Sequence, residues 1–346
     1  MRVFLTGGTG FIGRPLTRRL VARGWDVIAL VRQPDSAEAR ALRNMGAHCV
    51  TGDITDRESM RTGMTGADLV VHNAAWYELG LTADAKKRIQ AINVGGTENV
   101  LSLAQELGIS RTVYVSSILA FGETGQQRRD EIFQRQAPCA SAYEQSKTDA
   151  HAVALHYHAR GLPLIIVCPG NVIGPNDHAA WGYFARLYVN GLMPPMGWAK
   201  DRIYVHATDE DTAEGIALAA EKGRIGETYF VCGETTTMQE VIDLWGSTPG
   251  HFKVRLWLPT RLAEIMFAPL EPLQRLLGLT AFISRESVRS SALNYHFSNE
   301  KAKRELGWQP RPVRELWLET MQRERELQAK RRKRDLTSRL KPLVED

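Results

Sequence analysis

Thr6-Gly7-Gly8-Thr9-Gly10-Phe11-Ile12-Gly13 lies between a short apolar run, residues 3–5, and an amphipathic segment, residues 11–23. A strand, a glycine turn and a helix in this order can hold a pyrophosphate, because glycine lets the backbone turn sharply and approach the phosphates closely. The first turn of the helix then offers unpaired N–H groups and the positive end of the helix dipole. We therefore predict that this turn binds a dinucleotide through Gly7, Thr9, Gly10, Phe11, Ile12 and Gly13.

Short apolar runs alternate with longer amphipathic segments throughout the first half of the chain. The runs at residues 26–31, 48–51, 69–72, 112–115 and 164–167 predict strands. The segments at 36–45, 82–107 and 141–160 predict helices, and Gly95-Gly96 is expected to break the second of them. Strands that alternate with helices form βαβ units. The sequence thus predicts an α/β fold with a Rossmann-type, doubly wound parallel sheet.

After Pro169 the pattern loosens, because prolines separate shorter helical and extended segments. We interpret this half as a smaller mixed α/β C-terminal lobe that binds the substrate. The predicted division assigns residues 1–172 and about 208–232 to the dinucleotide-binding domain, 173–207 and 233–320 to the lobe, and 321–346 to a charged tail that is helical or disordered. The apolar stretch 256–279 is expected to pack within the lobe, with a lid, a subunit contact or a membrane contact as alternatives.

Composition and charge exclude several classes of protein. Of the 346 residues, 43% are hydrophobic and 24% are charged, as in an ordinary globular protein. The net charge is +5, and residues 323–346, with nine Lys/Arg and five Asp/Glu, supply four of those charges. The rest of the chain is nearly neutral, which gives no reason to expect nucleic acid as a partner. For the basic run 330–334, a solvated helix face is favoured over peripheral contact with an anionic membrane.

Four widely spaced cysteines suggest neither a disulfide framework nor a zinc site. The start of the chain lacks the apolar run of a signal peptide, and no stretch of about 18 apolar residues predicts a spanning helix. We therefore expect a cytoplasmic protein. His151, His156 and His158 have no carboxylate or cysteine at ligand spacing, so no metal site is predicted.

The end of the second predicted strand selects the cofactor. A carboxylate about 20 residues after the glycines would bind a ribose 2′-hydroxyl, whereas an arginine would accept a 2′-phosphate. Arg32 follows the strand directly, and Asp35 comes only after Pro34. This pattern favours NADP(H). NAD(H) is the alternative, with Arg32 in solvent and stacked on the adenine.

A tyrosine and a lysine stand one helical turn apart in the segment 141–160. Tyr143 and Lys147 therefore share a face, and Ser117 follows the predicted strand 112–115. A nearby ammonium group lowers the pKa of a phenol, which is about 10 in a free tyrosine. We expect Lys147 to act on Tyr143 in this way, Tyr143 to exchange a proton with a substrate oxygen, and Ser117 to hydrogen-bond that oxygen.

Taken in order, these motifs resemble the extended short-chain dehydrogenase/reductase family, also described as the NAD-dependent epimerase/dehydratase family, from residue 2 to about 314. The resemblance implies hydride transfer between a nicotinamide and a carbon–oxygen centre, with Ser117, Tyr143 and Lys147 as catalytic residues. It implies a homodimer formed through residues 91–107 and 150–159. It also implies further cofactor contacts at Asp53, Ile54, Asn73, Ala74, Ala75, Asn93, Tyr143, Lys147, Pro169, Gly170 and Asn171.

Within the family, the sequence is most similar to the dihydroflavonol reductase and 3β-hydroxysteroid dehydrogenase branch. Arg32 is typical of that branch, and Ser117 is followed by Ile118-Leu119-Ala120 rather than by the acidic pair of sugar dehydratases. We expect an NADP(H)-dependent oxidoreductase that acts on a hydrophobic ketone, aldehyde or alcohol. The alternatives are a sugar or sugar-nucleotide epimerase that retains NAD, and a non-catalytic dinucleotide sensor.

Apolar and aromatic side chains near the expected active site indicate a ring-rich or lipid-like substrate. Ordinary core packing is the competing interpretation for each of them. The residues predicted to bind substrate are Trp76, Tyr77, Ile118, Leu119, Trp181 and Phe184, with Tyr183 and Trp198 as further candidates.

Overall fold

The computed structural model describes residues 1–175, 177–193, 195–248, 254–277 and 279–331. The strands are β1 (Arg2–Thr6), β2 (Asp26–Val31), β3 (His48–Thr51), β4 (Leu69–His72), β5 (Arg111–Val115), β6 (Leu164–Pro169), β7 (Asn171–Ile173), β8 (Met196–Trp198), β9 (Ile203–Thr208), β10 (Thr228–Val231), β11 (Glu234–Thr237) and β12 (Leu256–Leu258). The longer helices are α1 (Gly13–Ala22), α2 (Ala37–Asn44), α3 (Arg61–Met64), α4 (Ala83–Gln90), α5 (Gly96–Glu106), α6 (Ala142–Ala159), α7 (Ala180–Val189), α8 (Asp209–Lys222), α9 (Met238–Gly246), α10 (Thr260–Phe267), α11 (Leu270–Leu276), α12 (Arg285–Ser291), α13 (Glu300–Leu306) and α14 (Val313–Arg331).

A seven-stranded sheet forms the centre of the first half, in the order β3-β2-β1-β4-β5-β6-β10. Every neighbouring pair in it is parallel. The strand order reverses at β1, because β2 and β3 lie on one side of it and β4, β5 and β6 on the other. The predicted α/β fold with a doubly wound parallel sheet is confirmed.

Alternate residues of each strand enter two separate cores, one on each face of the sheet. Phe4 of β1 packs with Val100 of α5 and Ala154 of α6, whereas Val3 and Leu5 join the core beneath α1 and α8. Both faces are covered, which is why these strands are continuous apolar runs rather than alternating ones. The carboxyl ends of the parallel strands therefore meet at one common edge.

The second lobe is built on smaller sheets and on helices from the later part of the chain. β9 pairs with β7 in parallel and with β11 in antiparallel orientation, and β8 pairs with β12 in parallel. A third apolar cluster joins α7, α9 and α14 around Tyr188, Trp245 and Trp317. Within the described ranges, no helix is long and apolar enough to cross a bilayer.

Two predicted features differ from the structure. Gly95-Gly96 does not break the helix, which continues from α4 into α5 through a π-helical turn at Ala91–Gly95. Gly96 is instead a packing position, since a Cβ there would lie 2.6 Å from the Ile54 side chain. The predicted charged tail from residue 321 is helical as far as Arg331, but the helix that carries it, α14, begins at Val313 and buries Met321 and Leu327. The remainder of the tail, residues 332–346, lies outside the described residues.

Candidate active site

The glycine turn after β1 is shaped by backbone contacts that exclude side chains. Gly7 has a φ of +73°, and a Cβ there would lie 2.7 Å from the backbone nitrogen of Ala74. A Cβ on Gly13 would lie 1.9 Å from the carbonyl oxygen of Gly7, which also accepts a hydrogen bond from the Gly10 N–H at 3.1 Å. The turn therefore brings the start of α1 directly against the ends of β1 and β4.

The start of α1 suits an anionic group. No side chain caps its amino terminus at Ile12, and its first turn contains no acidic residue. Thr9 and Phe11 belong to the same turn, and the carbonyl of Thr9 accepts a 3.3 Å hydrogen bond from the Arg14 side chain. Positive dipole, backbone N–H groups and a nearby arginine together fit the pyrophosphate of a dinucleotide.

Arg32 stands at the tip of β2 and is exposed to solvent. In the described part of the chain, no hydrogen bond or ion pair holds its guanidinium group. The next carboxylate along the chain, Asp35, is also exposed. Asp53 follows β3, and its side chain is engaged within its own loop. One carboxylate oxygen of Asp53 accepts hydrogen bonds from the N–H of Thr55 at 2.9 Å and from the hydroxyl of Thr55 at 2.8 Å. The neighbouring Ile54 is buried beneath Gly96.

The loop after β4 is connected to the glycine turn. The side-chain amide of Asn73 donates to the carbonyl of Gly7 at 3.3 Å, and the Ala74 N–H donates to the Thr6 hydroxyl at 3.2 Å. Ala75 is exposed. These contacts place the predicted cofactor residues of this loop beside the turn.

Asn93, in the π-helical turn, connects that loop to α6. Its side-chain oxygen accepts from the Trp76 N–H at 2.7 Å, while its amide donates to the Trp76 carbonyl at 3.0 Å and to the Ser146 hydroxyl at 2.9 Å. Asn93 is buried and contacts neighbours on both sides of the expected active site. It therefore acts here as a support for the helix that carries Tyr143.

The start of α6 presents Tyr143 to a cavity. Ser141 caps the helix by accepting the Glu144 N–H at 3.0 Å. The ring of Tyr143 meets that of Tyr77 edge to face, with centroids 4.6 Å apart. Burial raises the pKa of Tyr143 above its usual value of 10.0. Its phenol is therefore protonated near neutral pH.

Lys147 lies one turn further along α6, and its Nζ donates to the carbonyl of Val115, the last residue of β5, at 3.1 Å. Burial lowers the pKa of Lys147 from 10.5 to about 8. In this structure burial is the cause of the raised pKa of Tyr143, and the ammonium group of Lys147 donates to the end of β5. The expected lowering of the Tyr143 pKa by Lys147 stays a prediction.

Ser117 lies two residues beyond the end of β5, so it shares the sheet edge that Lys147 contacts. Its hydroxyl accepts the Leu119 N–H at 3.2 Å. The preceding Ser116 instead hydrogen-bonds His151 Nδ1 at 2.9 Å. His151 thus belongs to a buried contact behind the edge. Ser117, Tyr143 and Lys147 all come from the elements that meet where β5 ends.

A cavity of about 150 Å³ lies between this edge and the second lobe. Tyr143 borders it, together with Asn171 from β7. Most of its wall is apolar and aromatic. The predicted residues that line it are Tyr77, Leu119, Trp181, Phe184 and Trp198.

Three of the substrate candidates do not line the cavity in the described part of the chain. Ile118 is only 2% exposed and packs in the core with α6. Trp76 lies beneath the guanidinium group of Arg88, 5.4 Å from the ring centroid. Tyr183 is buried in the third apolar cluster. Trp76 and Tyr77 thus point in different directions, and so do Ile118 and Leu119.

The second lobe supplies cavity residues that the sequence did not identify. They come from the loop after α7 and from β9, α9, β12 and α12, and no motif or spacing marks them as one group. The apolar and aromatic members are Met193, Tyr204, Met238, Ile242, Trp245 and Trp257. α12 adds the small polar residues Ser287, Ser290 and Ser291.

Glu286 of α12 joins the second lobe to both sides of Tyr143. Its carboxylate accepts the Gly80 N–H at 2.7 Å and the Ala142 N–H, one residue before Tyr143, at 2.6 Å. The carbonyl of Gly80 also accepts from Arg275. One carboxylate therefore holds the loop of Tyr77 and the start of α6 in a fixed relation.

Comparison with known proteins agrees with this geometry. Residues 3–232 match the NAD dependent epimerase/dehydratase family. A protein of Synechocystis sp. with the provisional name dihydroflavonol 4-reductase is 33% identical over 317 residues, which cover 88% of this chain and 89% of that protein. A 3-beta-hydroxysteroid dehydrogenase of Mycolicibacterium neoaurum is 27% identical and is matched over 89% of this chain and 87% of its own length.

A solved structure is also similar. It is the dTDP-glucose 4,6-dehydratase DesIV of Streptomyces venezuelae with NAD bound, at 25% identity and a TM-score of 0.74, covering 95% of this chain and 98% of that chain. The resemblance predicted from the motifs is confirmed by the family match and by relatives from the expected branch. This chain belongs to the NAD-dependent epimerase/dehydratase family.

Proposed function

We propose that this protein is an NADP(H)-dependent oxidoreductase that interconverts a hydrophobic ketone or aldehyde and its alcohol. The observation that carries the proposal is the position of Tyr143 on the wall of an apolar cavity, next to the sheet edge to which Lys147 donates. A proton donor therefore borders both an apolar binding space and the edge where the glycine turn lies.

In the reducing direction, NADPH held at the glycine turn would supply the hydride for the carbonyl carbon. Tyr143 donates its proton to the carbonyl oxygen, and its raised pKa keeps that proton available near neutral pH. Ser117 hydrogen-bonds the same oxygen. The ammonium group of Lys147 stabilises the negative charge left on Tyr143 until the proton is replaced from solvent.

The cavity wall supports a substrate with a large apolar body. Trp181, Phe184, Trp198, Trp245 and Trp257 all contribute to it. Aromatic side chains of this kind favour ring-rich or lipid-like molecules over charged diphosphosugars. The names of two relatives, a dihydroflavonol reductase and a hydroxysteroid dehydrogenase, are consistent with such a substrate.

Replacing the phenol tests the chemical step. We expect Tyr143→Phe to lower kcat for reduction of a bulky apolar ketone by about 100- to 10,000-fold, because the proton donor is lost. Steady-state kinetics with NADPH measure this, with Tyr183→Phe as the control, since Tyr183 lies outside the cavity wall. Full turnover in Tyr143→Phe would contradict the proposal.

The exposed Arg32 supports a preference for NADP(H) over NAD(H). An arginine that binds the 2′-phosphate contributes a charge-assisted hydrogen bond, so Arg32→Ser should lower the ratio of NADPH to NADH affinity by about ten-fold or more. Fluorescence titration of both cofactors measures the ratio. An equal ratio in the unmodified protein and in Arg32→Ser would contradict the role of Arg32 in NADP(H) binding. NAD retained stoichiometrically through purification would favour an epimerase.

A further inference from the structure

The outer surface of the second lobe carries an unusual concentration of exposed apolar side chains. Ile265 on α10 is 69% exposed, and Leu276 on α11 is 84% exposed. We call the full set the α10–α11 face. It comprises Leu256, Leu262, Ile265, Met266, Leu273, Leu276 and Leu277. Exposed apolar patches of this extent mark contact surfaces.

The two helices present these side chains outward because both bury their other side against the same segment. α10 packs through Ala263 and Phe267 onto Val288 of α12. α11 is attached through Gln274, whose side chain donates to the carbonyl of Ile283 at 2.7 Å and accepts its N–H at 3.1 Å. On α10, Leu262 is three and four positions from Ile265 and Met266, and Leu273 of α11 is three and four positions from Leu276 and Leu277, which ends that helix. This spacing places each group of three in a stripe on one side of its helix. Leu256 of β12 completes the face.

The charges around the α10–α11 face are predominantly positive. Arg255, next to Leu256, and Arg261, next to Leu262, are exposed, and the structure shows no ion pair for them among the described residues. The nearby acids are already engaged, since Glu264 pairs with Arg289 at 2.9 Å and Glu271 with Arg275 at 2.6 Å. The third acid of this region, Glu286, accepts backbone N–H groups.

We propose that the α10–α11 face docks on an anionic lipid bilayer. Apolar side chains with arginines beside them match the two components of that surface, an acyl-chain boundary and negatively charged headgroups. Arg261 lies one turn before Ile265, on the same side of α10, so both can meet the bilayer together. A second copy of this chain fits less well, because a two-fold contact would bring the unpaired arginines of both copies together.

The α10–α11 face is separated from the cavity by a thin layer of side chains. Phe267 of α10 contacts Trp198, which lines the cavity, with ring centroids 5.0 Å apart. This short separation would let a hydrophobic substrate pass from the bilayer into the cavity, and that part of the inference rests on the proposed function. Docking itself does not rest on it and can be measured without turnover.

Vesicle flotation of the full-length protein tests the docking. We expect binding to phosphatidylcholine vesicles that contain about one third phosphatidylglycerol, and much weaker binding to pure phosphatidylcholine. The double variant Ile265→Ser/Leu276→Ser should weaken binding to the anionic vesicles by about ten-fold or more, since two apolar anchors are lost. Arg261→Gln should weaken it by about five-fold and only at low salt.

Ile132→Ser is the matched control, because Ile132 is 86% exposed but lies in the first half of the chain. It should bind as the unmodified protein does. Wild-type-like binding by the double variant would overturn the proposal and assign the attraction to the basic run 330–334. Absence of binding to either vesicle, or a dimer in sedimentation that the double variant dissociates, would overturn it as well. Ketone reduction by all variants in detergent-free buffer reports separately on the proposed function.

Discussion

The glycine turn and the wall of the cavity offer a ligand different kinds of atoms. In the turn, backbone atoms lie so close together that Gly7 and Gly13 have no room for a Cβ, and the groups that it offers are backbone N–H groups. In the cavity, the contact surface is made of large side chains such as Trp181 and Phe184, supplied by separate segments. A surface made of backbone atoms leaves a compact sequence motif, whereas a surface made of side chains from separate segments leaves a scattered set of residues.

Within this comparison of the two regions, the largest expected effect comes from adding one methyl group to the turn. Gly13→Ala would place a Cβ 1.9 Å from the Gly7 carbonyl oxygen, so the turn must shift and cofactor affinity should fall by about 100-fold. Gly95→Ala is the control, since a Cβ there meets nothing within 4 Å. Equal cofactor affinity in both variants would show that the turn is more adaptable than its contacts indicate.

A smaller effect is expected in the cavity, and only on one ligand. Phe184→Ala removes part of the apolar wall and should raise the KM for a bulky apolar ketone by about ten- to thirty-fold. The Kd of NADPH, measured by fluorescence titration of the same variant, should stay within about two-fold, because Phe184 belongs to α7 rather than to the turn. Parallel loss of both affinities would mean that the two regions are not separable.

The smallest effect is on the pH profile. The pKa of Lys147 lies at about 8, so the ammonium form is complete below that value and is lost as the pH rises through it. We expect kcat/KM for reduction to fall above about pH 8, by up to about ten-fold per pH unit. Lys147→Arg keeps the charge at high pH and should remove this decline, whatever its absolute activity. A decline that persists in Lys147→Arg would assign it to another group.

The contrast between a local motif in the first half and a cavity built from separate segments also explains what sequence analysis could predict. The strands at 26–31, 48–51 and 69–72 were predicted with the bounds that the structure has. β2 and β4 are largely buried apolar runs, whereas β3 is a half-exposed strand at the edge of the sheet. Gly95-Gly96 was misinterpreted as a break. The requirement for glycine comes from a contact between Gly96 and Ile54, and such a tertiary contact leaves no local signal.

The cavity was predicted less completely. Tyr77 and Leu119 follow strands and could be inferred from the rule that ligands bind at strand ends. Trp245 and Trp257 lie in α9 and β12, far along the chain, where short elements give weak periodicity. Only the packing of the lobe shows that they face the same space. The fold of the first half was predicted more completely because its determinants, the apolar runs of the strands and the glycine turn between β1 and α1, are local.

Glu286 has a consequence for motion in this protein. Because a single side chain of α12 holds both Gly80 and Ala142, any swing of the second lobe pulls on the Tyr77 loop and on the first turn of α6 together. Tyr77 and Tyr143 line the cavity from these two segments, so a displacement of α12 would change the positions of both rings at once.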